Sequence, residues 1–398
     1  MPRHGRHSLH VAGFAAGIAF FWAALYVYVP ILAVHTRALG ASDTMVGLVV
    51  GSYGLTQLIL RIPLGVVSDR LGRRKVFVLA GFVTIAVSSA VLALASSPSQ
   101  MFAGRALAGV AASSWVASTV LFSSFYPAGQ AVRATSIMSF TASFGQMVAT
   151  LAGGYIAYRY GLAAPYWVSV VVAAVGLAAI SATPEETRAT LQPPTLRQIL
   201  AVLTLPSLLL VSLAAAIVQY SAFSTSFAFV PIYASEVLRA DAAQLGILTS
   251  VTMVPYVLMT TFVAWLSLRV REHWLISLGM LLLAASTAAT LSTRSFEALV
   301  AARAVFGIGQ GLTYPVLMGL SIKSVPQHQR ASAMGGFQAI YALGMALGPA
   351  LSGFVADSFG LSWVFVSTAV LCLLGIVPAL AGATRSARPV GEMQNPAR

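Results

Sequence analysis

The sequence predicts an all-α integral membrane protein whose twelve transmembrane helices form two pseudo-symmetric six-helix bundles. Three observations support this prediction: a charge-poor composition, twelve apolar runs of membrane-spanning length, and a repeat that matches the two halves. Of the 398 residues, 58% are hydrophobic and only 8% are charged, against roughly 25% charged in a soluble domain. So few charges could not cover a water-exposed surface of this size, which excludes a soluble enzyme, a disordered chain and a nucleic-acid-binding domain, despite the net charge of +13.

Twelve stretches provide the roughly 20 mostly apolar residues that a helix needs to cross a bilayer. They do not alternate polar and apolar residues, as barrel strands would. We number them spans 1 to 12, at 11–34, 44–67, 74–95, 99–122, 132–157, 163–182, 205–230, 243–267, 273–291, 295–321, 331–355 and 361–381. We therefore expect an N-terminal bundle (1–182), a cytoplasmic linker (183–204), and a C-terminal bundle with a short cytoplasmic tail (205–398).

Lysine and arginine orient a membrane protein, because they are enriched in its cytoplasmic segments. If the N-terminus is cytoplasmic, sixteen of the 23 lie in cytoplasmic segments, four lie in outer loops, and Arg61, Arg105 and Arg303 lie within spans. We therefore expect a multi-pass protein of the plasma (inner) membrane with both termini cytoplasmic.

The two halves repeat each other at a nearly constant offset. GRALAGV at 104–110 matches ARAVFGI at 302–308, which pairs Arg105 with Arg303 at an offset of 198. YVPILA around Pro30 likewise matches FVPIYA around Pro231. Parallel repeats related by an axis along the membrane normal are typical of alternating-access transporters.

The loop between spans 2 and 3 reads GVVSDRLGRRK and carries a specific motif. It resembles the signature loop of the major facilitator superfamily, Gly-x3-Asp-Arg-x-Gly-x-Arg-Arg/Lys, at every defining position. With the twelve spans and the repeat, this resemblance covers almost the whole chain and implies a solute transporter. In that family the loop is thought to latch the two halves in the outward-open state, which assigns a gating role to Gly65, Asp69, Arg70, Gly72, Arg74 and Lys75.

Two further segments resemble family motifs. GRALAGVAASSW in span 4 is similar to a motif centred on an intramembrane arginine, here Arg105, and Arg303 is its copy in span 10. GQMVATLAGG in span 5 resembles the antiporter motif Gly-x3-Gly-Pro-x2-Gly-Gly, but Ala149 and Thr150 replace its central Gly-Pro. This departure leaves antiport, and with it efflux, open.

Polar side chains at membrane depth usually face a cavity or a partner, because a charge in hydrocarbon is costly. The resemblance implies that spans 1, 4, 7 and 10 line a central cavity, flanked by 2, 5, 8 and 11. Hydrogen bonding between helices is the alternative for the glutamines and tyrosines, and bonding to carbonyls of a neighbouring helix for the arginines. The candidate cavity residues are Trp22, Tyr26, Gln57, Arg105, Gln146, Gln219, Arg303, Gln310, Tyr314 and Gln338.

The ten acidic residues all lie in loops or at span ends, so none is placed to carry a coupling proton through the membrane. Coupling to H⁺ therefore stays open. His35, near the outer end of span 1, is the nearest titratable alternative. No clustered His, Cys or carboxylate residues indicate a metal site or a nucleophile, so we expect no cofactor, no metal and no enzymatic activity.

The leading hypothesis is a secondary transporter that moves a small organic solute by alternating access, in the direction of efflux or exchange. An organic-anion carrier that uses the intramembrane arginines is the alternative, since Arg105 and Arg303 have no acidic partner in their own spans. A non-transporting membrane receptor is a third reading. We expect a monomer with the solute and the lipid bilayer as partners, and no nucleic acid.

Overall fold

The computed structural model describes residues 3–126, 130–185, 204–323, 325 and 329–386, and all regular structure within them is helical. Eleven helical stretches are long and apolar enough to cross a membrane. They correspond to every predicted span except span 5, which is the 30-residue helix Ala131–Tyr160. Six Ser and Thr side chains and Gln146 lower the hydropathy of this helix between 135 and 150. The twelve-helix prediction is confirmed.

Several spans consist of two consecutive helices. Spans 1 to 6 are built from helices Arg3–Tyr26, Val29–Ala38, Asp43–Leu71, Arg74–Ala93, Pro98–Ser113, Trp115–Ser124, Ala131–Tyr160 and Ala164–Ser181. Spans 7 to 12 are built from Pro206–Ser221, the π-helix Ala222–Phe229, Val230–Glu236, Ala242–Leu266, Glu272–Ala289, Phe296–Lys323, Arg330–Phe359, Leu361–Leu374 and Ile376–Ser386. A short 3₁₀ turn, Thr290–Ser292, follows span 9.

Spans 1 and 7 extend beyond their predicted ends, to Ala38 and Glu236. Both are interrupted near the proline that the repeat pairs, Pro30 or Pro231. A proline inside a helix removes one hydrogen bond and crowds the carbonyl four residues earlier. Span 1 breaks at residues 27–28, whereas span 7 widens into eight residues of π-helix. These interruptions place polar groups inside otherwise regular helices.

Contacts divide the chain into two compact units. Unit 1 contains spans 1 to 6 together with Ala234–Ser250, and unit 2 contains the remaining part of spans 7 to 12. The division differs from the predicted one at 234–250, which groups with unit 1 because Gly246 packs on the backbone of Gly154 and Ser250 Oγ lies 3.0 Å from Thr150 Oγ1. Residues 186–203 of the predicted linker lie outside the described residues.

Equivalent contacts in the two units confirm the repeat. Ser88 Oγ donates to the Gly104 carbonyl at 2.7 Å in unit 1, and Ser286 Oγ donates to the Ala302 carbonyl at 2.6 Å in unit 2. Both pairs join the third span of a unit to its fourth, at the same offset of 198 residues. Each serine therefore forms a hydrogen bond with the backbone of the residue immediately before an intramembrane arginine.

Glycines bring the first and fifth spans of each unit into backbone contact. A methyl group on Gly153 would overlap the Val27 carbonyl, and one on Gly344 would overlap the Ala216 carbonyl. Small residues allow this close approach between membrane helices. The antiporter-like glycines of span 5, and those of the matching segment GMALGPALSG in span 11, therefore have a packing role in each unit.

Candidate functional site

The signature loop begins at the end of span 2. Gly72 adopts φ +63°, a left-handed conformation that ends the helix and favours glycine. A side chain on Gly65 would be in van der Waals contact with span 4. Arg70 is exposed and Arg74 is buried, while the side chain of Asp69 lies outside the described residues. The latch role of this loop therefore stays a prediction.

Lys75 joins the signature loop to the end of span 6. Its ammonium group donates to the Ser181 carbonyl at 2.8 Å and also to the Thr183 carbonyl. Its backbone N–H donates to the Glu185 carboxylate at 3.2 Å. A cation at the last carbonyls of a helix is favourable, because these groups carry the negative end of the helix dipole. Lys75 thus caps span 6 within unit 1.

Arg105 is buried inside unit 1, with only 2% of the residue exposed. Its Nη1 donates to the Tyr28 hydroxyl at 3.2 Å, and its guanidinium carbon lies 4.1 Å from the centroid of the Tyr53 ring. A cation over an aromatic face is stabilised by the ring quadrupole. Its Nε has no hydrogen-bond partner, and no carboxylate contacts it within the described residues.

Arg303 is completely buried inside unit 2. Its guanidinium donates to the hydroxyl of Ser226, and its Nη1 lies 3.5 Å from the Thr225 hydroxyl. The guanidinium carbon also lies 3.8 Å from the centroid of the Phe306 ring. Hydroxyls, rather than the backbone carbonyls of the alternative interpretation, are the hydrogen-bond acceptors of both arginines in the described contacts.

The two arginines share an arrangement that comes from the repeat. In each unit the interrupted first span provides the hydroxyl acceptor for the arginine of the fourth span. Tyr28 lies in the break of span 1, whereas Thr225 and Ser226 lie in the π-helix of span 7. The sequence repeat aligns Tyr28 with Phe229, so the second unit uses hydroxyls about one turn earlier. Neither set was among the predicted site residues, although STS at 224–226 was a detectable polar signal.

Three of the predicted cavity residues of unit 1 share an unusual property. Trp22 Nε1, Gln57 Nε2 and Arg105 Nε are all buried atoms without a hydrogen-bond partner in the described chain. They belong to spans 1, 2 and 4. We call these three residues the donor cluster.

Aromatic rings contact two members of the donor cluster, Trp22 and Arg105. The Trp22 ring packs against Tyr26 and Trp115, with centroid distances of 5.8 and 5.2 Å. Tyr53 lies one turn before Gln57 on span 2, and the face of its ring contacts the Arg105 guanidinium. Gln57 is only 4% exposed, whereas Trp22 is half-buried. The cluster therefore combines polar N–H groups with apolar surface.

The other predicted cavity residues are more dispersed. Gln146, Gln219, Gln310 and Gln338 are each half-buried. Tyr314 of span 10 packs on Phe337 and Tyr341 of span 11, with centroid distances of 6.4 and 5.7 Å. The structure therefore brings Tyr314 into an aromatic group within unit 2.

Ion pairs connect helix ends on the predicted outer side of unit 1. Arg37 Nη1 lies 2.6 Å from the Asp43 carboxylate, and Arg37 Nε lies 3.3 Å from Glu236. Close to them, His35 Nδ1 lies 3.2 Å from the Tyr166 hydroxyl. Arg37 thus links the end of span 1 both to the start of span 2 and to the segment 234–250.

Unit 2 contains a cavity of about 510 Å³ between spans 8, 10 and 11. Apolar residues and threonine or serine form most of its wall, and Glu272, Lys323 and Arg330 supply its charges. Lys323 Nζ forms an ion pair with the Glu272 carboxylate at 2.5 Å. The cavity lies at the helix ends that are predicted to be cytoplasmic.

Comparisons with known proteins agree with this architecture. The family model described as Major Facilitator Superfamily matches residues 14–238 and 211–397. The chain is 24% identical over 362 residues to the "Inner membrane transport protein YajR" of Escherichia coli (strain K12), covering 89% of this chain and 79% of that protein. It is 27% identical over 127 residues to the "Quinolone resistance protein NorA" of Staphylococcus aureus, covering 32% of each.

Among solved structures, the chain resembles a bacterial homologue of the human lysosomal transporter Spinster in an inward-facing and occupied conformation. The TM-score is 0.80 at 16% identity, covering 94% of this chain and 96% of that one. At this identity the likeness establishes the fold.

Proposed function

Because the chain belongs to the major facilitator superfamily and is a multi-pass membrane transporter of that type, we propose that it moves a small organic solute by alternating access. The solute crosses without covalent change. Export or exchange is the proposed direction. The coupling ion is left unassigned, because the described acidic residues lie at span ends.

One observation carries this proposal: in each unit, the interrupted first span accepts a hydrogen bond from a buried arginine of the fourth span. Transporters of this architecture place binding sites where helices are broken, because freed backbone and polar side chains can then meet a solute at membrane depth. Here the breaks lie beside Pro30 and Pro231, and the arginines are Arg105 and Arg303. Both are buried inside apolar helices. A charge at membrane depth is costly, so arginines in such places are usually retained for a function or a structural contact.

The proposed direction of transport rests on two observations. Span 11 keeps the Gly-Pro pair of the antiporter motif at Gly348 and Pro349, and the relative named for quinolone resistance matches 32% of the chain. Span 5 lacks the central Gly-Pro pair. Exchange in either direction is therefore part of the proposal alongside export.

Flux into proteoliposomes tests the function. Purified full-length protein would be reconstituted and supplied with a fluoroquinolone, a cationic dye or 2-naphthalenesulfonate, with and without an imposed pH gradient. We expect at least one solute to cross faster than in protein-free vesicles and to be accelerated by the same solute preloaded on the other side. Acceleration by a pH gradient would assign proton coupling.

Preloading separates a carrier from a leak, because only alternating access links outward and inward movement of the solute. If folded protein moves none of these solutes above the protein-free rate, the proposal is contradicted. Flux that is unaffected by preloading would also contradict it, since it would indicate a pore.

A further inference from the structure

Three predicted cavity residues of unit 1 each have a buried nitrogen atom without a hydrogen-bond partner among the described residues: Trp22 Nε1, Gln57 Nε2 and Arg105 Nε. A buried polar atom without a hydrogen bond loses its hydration and gains nothing in return, so such atoms are rare in folded proteins. Tyr53, whose ring lies against Arg105, is one turn from Gln57 on span 2. Three such donors in spans 1, 2 and 4 of one unit therefore indicate an occupant that the protein chain does not supply.

The chemistry of these atoms restricts the occupant. Indole and guanidinium nitrogens can only donate hydrogen bonds, and the amide of Gln57 can present either of its ends. The Arg105 guanidinium adds a positive charge that no carboxylate contacts within the described residues. A group rich in acceptor oxygens and carrying negative charge suits all three residues, whereas a cation could meet only the amide oxygen of Gln57.

The apolar part of the occupant follows from the surrounding rings. Trp22, Tyr26 and Trp115 form a continuous aromatic group whose ring centroids are 5.8 and 5.2 Å apart. Trp22 is half-buried, while Gln57 and Arg105 lie deeper. An approaching molecule would meet aromatic surface first and donors beyond it, which suits a planar aromatic body with an anionic end.

Unit 2 differs at the equivalent place. Arg303 already has the hydroxyls of Ser226 and Thr225 and the ring of Phe306 around it. The unpartnered buried polar atoms described in unit 2 are hydroxyls, which can also accept: those of Ser212, Thr287 and Thr368. The repeat therefore retains both arginines but leaves unsatisfied donor-only groups in unit 1.

We propose that the donor cluster of unit 1 binds the anionic group of an aromatic organic anion, and that Arg303 is a structural residue of unit 2. This inference rests on the proposed transport function and names its substrate class. Gln57 and Arg105 bind the anionic group, and Trp22 contributes one hydrogen bond and its ring.

Three probes with one skeleton and different charges test the substrate class. They are 2-naphthalenesulfonate, neutral 2-naphthalenesulfonamide and (2-naphthylmethyl)trimethylammonium. Each would be titrated against the full-length protein in detergent. We expect the sulfonate to bind at least tenfold more tightly than the ammonium. Equal binding of all three, binding of the ammonium alone, or no binding of the sulfonate would overturn the proposal.

Two substitutions test the site itself. Trp22→Phe keeps a ring and removes the N–H donor, so it should weaken sulfonate binding about threefold to tenfold, the usual worth of one hydrogen bond. Trp167→Phe is the matched control in span 6, where the indole is 46% exposed, and it should change nothing. Equal effects of the two substitutions would overturn the site.

Gln57→Glu provides a readout that loss of packing cannot imitate. A carboxylate beside the bound anion should weaken sulfonate binding at least tenfold and strengthen binding of the ammonium probe, which reverses the preference. If Gln57→Glu folds and keeps the wild-type preference, the assignment is wrong. Gln57→Leu, which removes the amide without adding charge, should weaken sulfonate binding without reversing the preference, and an unchanged affinity would count against the site.

The flux experiment separates this inference from the function. Sulfonate binding in a protein that moves none of the tested solutes across proteoliposomes would contradict transport and leave the site standing. Transport of another solute by a protein that does not bind the sulfonate would contradict the site and leave the function standing.

Discussion

The guanidinium of Arg105 lies on the face of the Tyr53 ring, with 4.1 Å between its central carbon and the ring centroid. In the other unit Arg303 lies on Phe306, a residue of its own span, at 3.8 Å. Equivalent arginines are thus stabilised by rings from different helices. Tyr53 ties span 2 to span 4, and Gln57 follows Tyr53 by one helical turn.

Tyr28→Phe should destabilise the protein while keeping the ring that packs on Tyr166. The change removes the hydroxyl that accepts from Arg105 Nη1 at 3.2 Å. Hydrogen bonds to charged groups contribute about 1.5–3 kcal/mol, so we expect a loss of that size in the free energy of unfolding in mixed micelles. Tyr158→Phe, at a tyrosine that is 55% exposed, is the control and should have no effect. Equal stability of the two variants would show that the Tyr28 hydroxyl is dispensable.

Ser226→Ala should destabilise unit 2 by a similar amount, about 1.5–3 kcal/mol, because Arg303 loses a hydroxyl acceptor in a fully buried place. Binding of 2-naphthalenesulfonate should stay at the wild-type affinity when measured below the melting temperature. Ser136→Ala, at an exposed position of span 5, should leave stability unchanged. A loss of sulfonate affinity in Ser226→Ala would instead place Arg303 in the binding site.

Gly153→Ala and Gly344→Ala should each destabilise the protein by about 1–3 kcal/mol, the usual cost of forcing a methyl group into a packed interior. The added methyl groups would overlap the carbonyls of Val27 and Ala216. Gly335→Ala is the matched control, because no atom lies within 4 Å of the place its methyl group would occupy. It should be neutral or slightly stabilising. Tolerance of alanine at both contact glycines would disprove the close backbone packing.

Lys75→Met should loosen the last turn of span 6. The ammonium group that caps the Ser181 carbonyl is lost, and such a cap contributes about 0.3–1 kcal/mol. We expect faster backbone hydrogen exchange around Thr183, measured by mass spectrometry, with little change elsewhere. Arg73→Met, at an exposed arginine of the same loop, should leave exchange in span 6 unchanged. Similar exchange in both variants would argue against a capping role.

Cysteine labelling tests the predicted orientation. In a Cys372→Ala background, Ala38→Cys should react with a membrane-impermeant maleimide added outside intact cells, because Ala38 is an exposed residue at the predicted outer end of span 1. Thr190→Cys should react only after permeabilisation, since the linker is predicted to be cytoplasmic from the Lys and Arg distribution. Labelling of position 190 from outside would reverse the orientation.

Much of the architecture could be predicted without the structure. The existence of each span follows from hydropathy, which is a local property of the chain. Most boundaries agree with the structure to within a few residues, but span 1 begins earlier than predicted, at Arg3, and span 7 ends later, at Glu236. Spans 1 and 7 are also interrupted near Pro30 and Pro231. Hydropathy alone does not reveal those interruptions, since Pro255 and Pro315 lie inside uninterrupted helices. The repeat also located both arginines, although it aligned Tyr28 with Phe229 and so missed Thr225 and Ser226.

Composition and motif spacing are properties of the chain alone, and they suffice to predict the membrane class, the twelve helices, the internal repeat and the family. The difference between the two arginines appears only in the folded protein. Both are paired at one offset in the repeat, yet Arg303 meets two hydroxyls in a π-helix while Arg105 meets one tyrosine hydroxyl and keeps an unsatisfied Nε. The physical reason is that hydrogen-bond satisfaction depends on which helices meet at a point in space. The spacing of residues along the chain does not contain that information.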